Sequence, residues 1–140
     1  MRKATRRLAR RFLAVVALVS LVSCSGGTTC TRVISAGSGH ASCSGSIERL
    51  DGRQLLTFKL EDIAFGGSVD ARISVSVTGG VITVAYRNSS GDSVVYAVTP
   101  DAPLSFQDKL RLVFIDEAEI TLYTQGGSAV GIQYVAEFTR

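Results

Sequence analysis

The 140-residue sequence has no tryptophan, one histidine, one methionine, two prolines and three cysteines. These shortages close off several kinds of chemistry. Nucleophilic catalysis needs a positioned base, usually histidine, and only His40 could serve. No G-x-S-x-G occurs, so the nucleophile elbow of an α/β-hydrolase is missing. Zinc fares no better: Cys30-x9-His40-x2-Cys43 offers three ligands, no fourth, and the spacing of no common finger. The apolar run Phe12–Val22 has eleven residues, whereas a spanning helix needs about 20. No stretch carries convincing helical periodicity, although Glu61–Phe65 suits a single helical turn.

The N-terminus is rich in charge of one sign. Arg2, Lys3, Arg6, Arg7, Arg10 and Arg11 precede the apolar run with no acid among them, the layout of a signal peptide. Leu21-Val22-Ser23-Cys24 closes the run and resembles the lipobox of bacterial lipoproteins. That resemblance implies diacylglycerol on the Cys24 sulfur, cleavage just before it, and an extracytoplasmic domain anchored by lipid to the cell membrane or outer membrane. An uncleaved short anchor or an ordinary secretory signal are the competing readings. The paired arginines lack the two large apolar residues that a twin-arginine signal places at a fixed offset. Ser25 stands where an aspartate would resemble the inner-membrane retention signal of enteric lipoproteins.

Loss of residues 1–23 removes six of the fifteen basic residues and none of the twelve acids, leaving nine against twelve and a formal charge of −3. A nucleic-acid partner is therefore not expected. With Cys24 acylated, Cys30 and Cys43 remain as an even pair in an oxidising compartment and are expected to form a disulfide. Residues 24–45, mostly Ser, Gly, Thr and Ala, read as a flexible tether containing that disulfide loop. Val33 and Ile34 are the exception and could start a short strand.

Residues 46–140 read as one all-β domain, an antiparallel sandwich or small barrel of about eight strands. The alternation is clearest from Val69 to Thr78: Val69, Ala71, Ile73, Val75 and Val77 point one way, Asp70, Arg72, Ser74 and Ser76 the other. Turns are expected at Asp51-Gly52, Gly79-Gly80, Ser89–Asp92 and Gln125–Ser128, with a ladder break at Pro100–Pro103. Leu110–Ile115 reads as a strand. The expected core is Phe58, Ile73, Val75, Val77, Ile82, Val84, Tyr96, Leu112, Ile132 and Tyr134.

No catalytic set and no metal or cofactor site emerges. Asp116, Glu117 and Glu119 form an acidic cluster that reads as a solvated turn, since no D-x-D-x-D-G loop supports calcium. The four tyrosines read as packing rather than a sugar-stacking platform. The expected activity is binding or assembly, with an envelope protein or glycan as partner. Candidate contact residues are Arg72, Ser74 and Ser76 on the polar strand face, and Asp116, Glu117 and Glu119. A small carboxylate-based envelope hydrolase is the alternative.

Overall fold

The computed structural model describes residues 20–24 and 27–140, with side chains from residue 27 onward. Most of the expected signal segment lies outside these residues, and of Cys24 only the backbone is described. Eight strands follow one another: β1 (Ser20–Cys24), β2 (Thr28–Ser35), β3 (Ser38–Lys59), β4 (Ser68–Ser76), β5 (Ile82–Arg87), β6 (Ser93–Val98), β7 (Leu104–Arg111) and β8 (Glu117–Thr139). All pairings are antiparallel, in the order β1-β2-β3-β8-β4-β7, while β5 joins β8 and β6 joins β5.

Two strands give this network its shape. β3 has 22 residues and β8 has 23, about 70 Å each if straight. Both bend at one level. Their register passes from Asp51↔Ser128 to Arg53↔Tyr123, so Gly52 alone faces residues 124–127. Gly52, Gly126 and Gly127 have φ of 99°, 71° and 135°, conformations open to glycine. The Gly52 N–H donates to Thr124 Oγ1 at 3.0 Å.

The bend folds the network into two layers. One contains β2, residues 38–51, residues 128–139, β4 and β7. The other contains residues 53–59, residues 117–123, β5 and β6. Their inner faces meet: Phe58 packs on Phe138 at 5.2 Å between ring centres, and Tyr86 stacks on Phe106 at 4.8 Å. Phe58, Leu60, Ile73, Ile82, Val84, Leu122, Ile132 and Phe138 are fully buried between them. The result is an all-β sandwich, one of the two antiparallel forms that the alternation allowed.

Nine of the ten expected core residues are buried, and the tenth is not. Tyr96 is 37% exposed because β6 pairs only with β5 and leaves one side of the sheet uncovered.

Other expectations change. Asp51-Gly52 and Gln125–Ser128 are not hairpin turns; they form the bend through which both long strands continue. Leu110–Ile115 is strand only at Leu110 and Arg111, the end of β7. The ladder with β4 is made by β7, and the chain reverses at residues 113–117, where Val113 bridges Glu117. This reversal leaves Phe114 85% exposed with φ 59°. Glu61–Phe65 makes one hydrogen-bonded turn, Ile63 and Ala64 both donating to the Leu60 carbonyl.

The Ser/Gly stretch read as a tether is, from Thr28 on, strand β2 and the first part of β3. Its small residues serve close packing. Cys30, Ala41 and Cys43 fill inward positions, with Ala41 fully buried. Gly45 lies under the Tyr134 ring, whose hydroxyl meets Thr28. A Cβ on Gly39 would stand 3.1 Å from the Ile63 backbone. Composition alone hid a strand whose interior face is made of small side chains.

Cys30 and Cys43 are direct cross-strand partners with sulfurs 2.17 Å apart. They close a loop with a sequence separation of 13, for which the chain-entropy account gives roughly 3 kcal/mol. Replacing both by serine is expected to lower the unfolding free energy by about that amount, read from urea midpoints. Unchanged midpoints would show that the pair adds nothing to stability.

Candidate functional site

Each layer presents an outer face, and the two differ. On the first layer, small polar side chains line up in rows across the strands. Gln107, Arg72, Glu137, Ser42 and Thr31 form one row; Ser105, Ser74, Val135, Ser44 and Thr29 form the next. The Arg72 guanidinium donates to Gln107 at 3.5 Å, and the Ser74 and Ser105 hydroxyls are 3.3 Å apart. This face is Ser/Thr-rich, with hollows of about 140 and 330 Å³ beside Arg72 and Ser74. His40 belongs to it, opposite Thr139 on β8, and so is not outside the sheet.

The second layer is hollowed. Its central outward positions carry Thr121 and Ala85, flanked in the same cross-strand row by Leu55 and Val95. Leu55 is 50% exposed and Val95 53%. Small side chains in the middle and larger ones at the sides make a trough. Its far wall is the excursion at residues 124–127, beside outward-facing Thr83, which is buried. The near wall is the 113–117 reversal with Phe114. The largest part, about 760 Å³, is bordered by Arg53, Arg87, Arg111, Glu119 and Phe114. Smaller hollows of about 450 and 620 Å³ extend it past Tyr123 and Thr124 to Val81 and Gly126.

Three arginines beside one glutamate make this end of the trough electropositive. Among the described residues none of the three forms an ion pair; those formed involve Arg32, Arg49 and Lys109. Arg32 is buried and spoken for: it donates to the Lys59 carbonyl at 2.6 Å and lies 3.5 Å from Asp62. Behind the trough, the Tyr86 hydroxyl donates to Asp108 at 2.6 Å. Burial, then the Asp108 carboxylate, hold that phenol well above its ordinary pKa, so it stays protonated and structural.

The candidate residues do not converge. Arg72, Ser74 and Ser76 lie on the first layer's outer face. Glu117 and Glu119 lie on the second layer, opposite Lys59 and Thr57, and Asp116 sits in the reversal before them. Only Glu119 borders the trough. Arg53, Arg87, Arg111 and Phe114 were not anticipated. Alternation points Arg53 and Leu55 away from buried Leu56 and Phe58, but strand order, invisible in the sequence, brings them to the same hollow as Arg87. Tyr86 and Tyr134 are buried packing residues, Tyr96 is at the β6 edge, and Tyr123 faces the trough.

No family model and no curated protein matches the chain. Solved structures match the chain only at low identity and low TM-score. CapF, a capsular polysaccharide assembling protein of Staphylococcus aureus, matches at 8% identity and TM-score 0.41, over 90% of this chain and 29% of that one. A carbohydrate binding module of family 29 matches at 12% and 0.32, over 86% and 75%. An isomalto-dextranase of Arthrobacter globiformis, complexed with panose, matches at 17% and 0.34, over 80% and 23%. The chain thus spans under a third of the CapF length, and similarity at this level assigns no shared activity. What the chain's own residues form is an all-β sandwich with a polar, Ser/Thr-rich face on one layer and an arginine-lined trough on the other.

Proposed function

We propose that the protein is an extracytoplasmic lipoprotein, acylated on Cys24, whose sandwich works by binding a partner without chemical turnover. The observation that carries the binding reading is the composition of the trough. A carboxylate-based glycosidase needs two acids, about 5–5.5 Å apart to retain configuration or roughly 6.5–9.5 Å apart to invert it. The trough is bordered by one, Glu119, and by no histidine. Its walls are strand side chains and two short bends, a rigid surface suited to holding a partner.

The lipid anchor is supported by the lipobox in its signal-peptide context and by the Cys30–Cys43 pairing, which leaves Cys24 as the odd cysteine. Intact-mass analysis of protein extracted from the envelope is expected to give a chain beginning at Cys24 with a diacylglyceryl group. An unmodified Cys24, or a chain beginning elsewhere, would refute the anchor.

A further inference from the structure

We propose that the Phe114 end of the trough is an anion site for a chain-like acidic glycan, a strand bearing carboxylate or phosphate groups; this rests on the binding reading above. The arrangement of Arg87 and Arg111 carries the inference. Arg87 Nη1 donates to the Gly91 carbonyl at 3.3 Å. Arg111 Nη1 lies over the same residue, 2.8 Å from where a Cβ on Gly91 would stand. Two guanidinium groups therefore meet at one turn, and among the described residues neither is paired with a carboxylate. Like charges brought to one residue repel, and a shared anion relieves the repulsion. The guanidinium fork matches carboxylate and phosphate oxygens in geometry.

Three further features choose a polymer over a free ion. The hollow continues along the layer from Arg111 to Gly126, sharing lining residues from one part to the next. Arg53 borders it further along, giving a second charged step. Phe114 stands at the rim in a left-handed conformation that a bulky residue avoids. Held there, its ring offers an apolar face to a sugar's C–H surface. An anionic bilayer is the poorer fit, because a flat surface does not enter a trough.

The test uses the full-length protein extracted in detergent. Affinity electrophoresis is run with polygalacturonate, with neutral dextran, and beside flotation on phosphatidylglycerol vesicles. Polygalacturonate is expected to retard the protein, dextran is not, and added salt weakens the effect. Arg87→Glu and Arg111→Glu are each expected to weaken binding roughly tenfold or more with an unchanged melting temperature. Arg72→Glu, on the other layer, keeps full binding. Equal retardation of wild type and Arg111→Glu overturns the site. Flotation on vesicles without polygalacturonate binding, or no polygalacturonate binding at all, overturns the ligand class and leaves the binding reading standing. Shortened polymer, absent with Glu119→Gln, overturns the binding reading itself.

Discussion

Val75→Asp is expected to abolish the folded state under ordinary conditions, whereas Ser74→Asp, one residue away, leaves the melting temperature nearly unchanged. Val75 is 3% exposed in β4, between Leu104 on β7 and Tyr134 on β8. A carboxylate there gains no cationic partner among its cross-strand neighbours, and the Tyr134 hydroxyl already meets Thr28. The carboxylate stays charged and unpaired or takes up a proton, and either outcome costs upward of about 4 kcal/mol, a large share of a small domain's stability. Ser74 faces water beside Ser105, and a charge there costs within about 0.5 kcal/mol. Thermal melts followed by circular dichroism decide it. Similar melting of the two variants would mean that the inner face of β4 has been misassigned.

The second large effect is expected at Gly80. Its φ is 80°, and a Cβ there would stand 2.9 Å from the Ala129 Cα and closer still to the Ser128 carbonyl oxygen. These are backbone atoms of β8 at the bend, which cannot swing aside as a side-chain tip can. Gly80→Val combines a left-handed β-branched residue with that clash and is expected to cost on the order of 3–5 kcal/mol. Gly37 provides the control: its φ is 87°, but nothing lies within 4 Å of where its Cβ would stand. Gly37→Ala should lose only the conformational part, about 1 kcal/mol. Equal urea midpoints for the two variants would show that the approach of residues 79–80 to β8 does not support the bend.

Much of this fold was legible because alternation is a local property. Val69 to Val77 could be read from five residues in register, and the structure buries all five. Gly79-Gly80 was legible as a change of direction. Less legible was whether a glycine pair ends a strand or bends it. Gly126-Gly127 looks the same in sequence as Gly79-Gly80, yet one lets β8 continue and the other precedes a new strand. That difference is decided by the partner, since β3 runs on beside β8 through Gly52. The stretch from Thr28 to Gly45 was misread for a related reason. Hydrophobicity marks an inner face only when that face is large, and here it is Cys30, Ala41, Cys43 and the space under Tyr134.

The site was less legible than the fold. Arg53, Arg87 and Arg111 come from β3, β5 and β7, separated by dozens of residues. No single segment announces them, and Arg111 belongs to the opposite layer, reaching the trough only where the chain reverses. The acidic cluster Asp116, Glu117 and Glu119 was conspicuous because its members are near in sequence, yet Asp116 sits in the reversal and, of the two strand residues, only Glu119 borders the trough. Three separate strands, each ordinary alone, had to be assembled before the basic surface existed.

The start of β2 at Thr28 changes how an anchored domain would behave. A lipid on Cys24 would be joined to the sheet by four peptide steps, a leash of at most about 14 Å. A freely jointed linker of the length first read there would wander over roughly 26 Å as a root-mean-square distance. With cleavage before Cys24, β1 would lose Ser20–Ser23, and the flank of β2 that pairs with them would be bare. A body whose longer strand segments span about 40 Å, held on so short a leash, cannot tumble independently of the bilayer. It would patrol the membrane surface in a narrow range of orientations. A polymer would then be captured by drifting within reach of that surface, and the crowding of anchored copies along one strand, rather than the strength of any one trough, would set how firmly it is held.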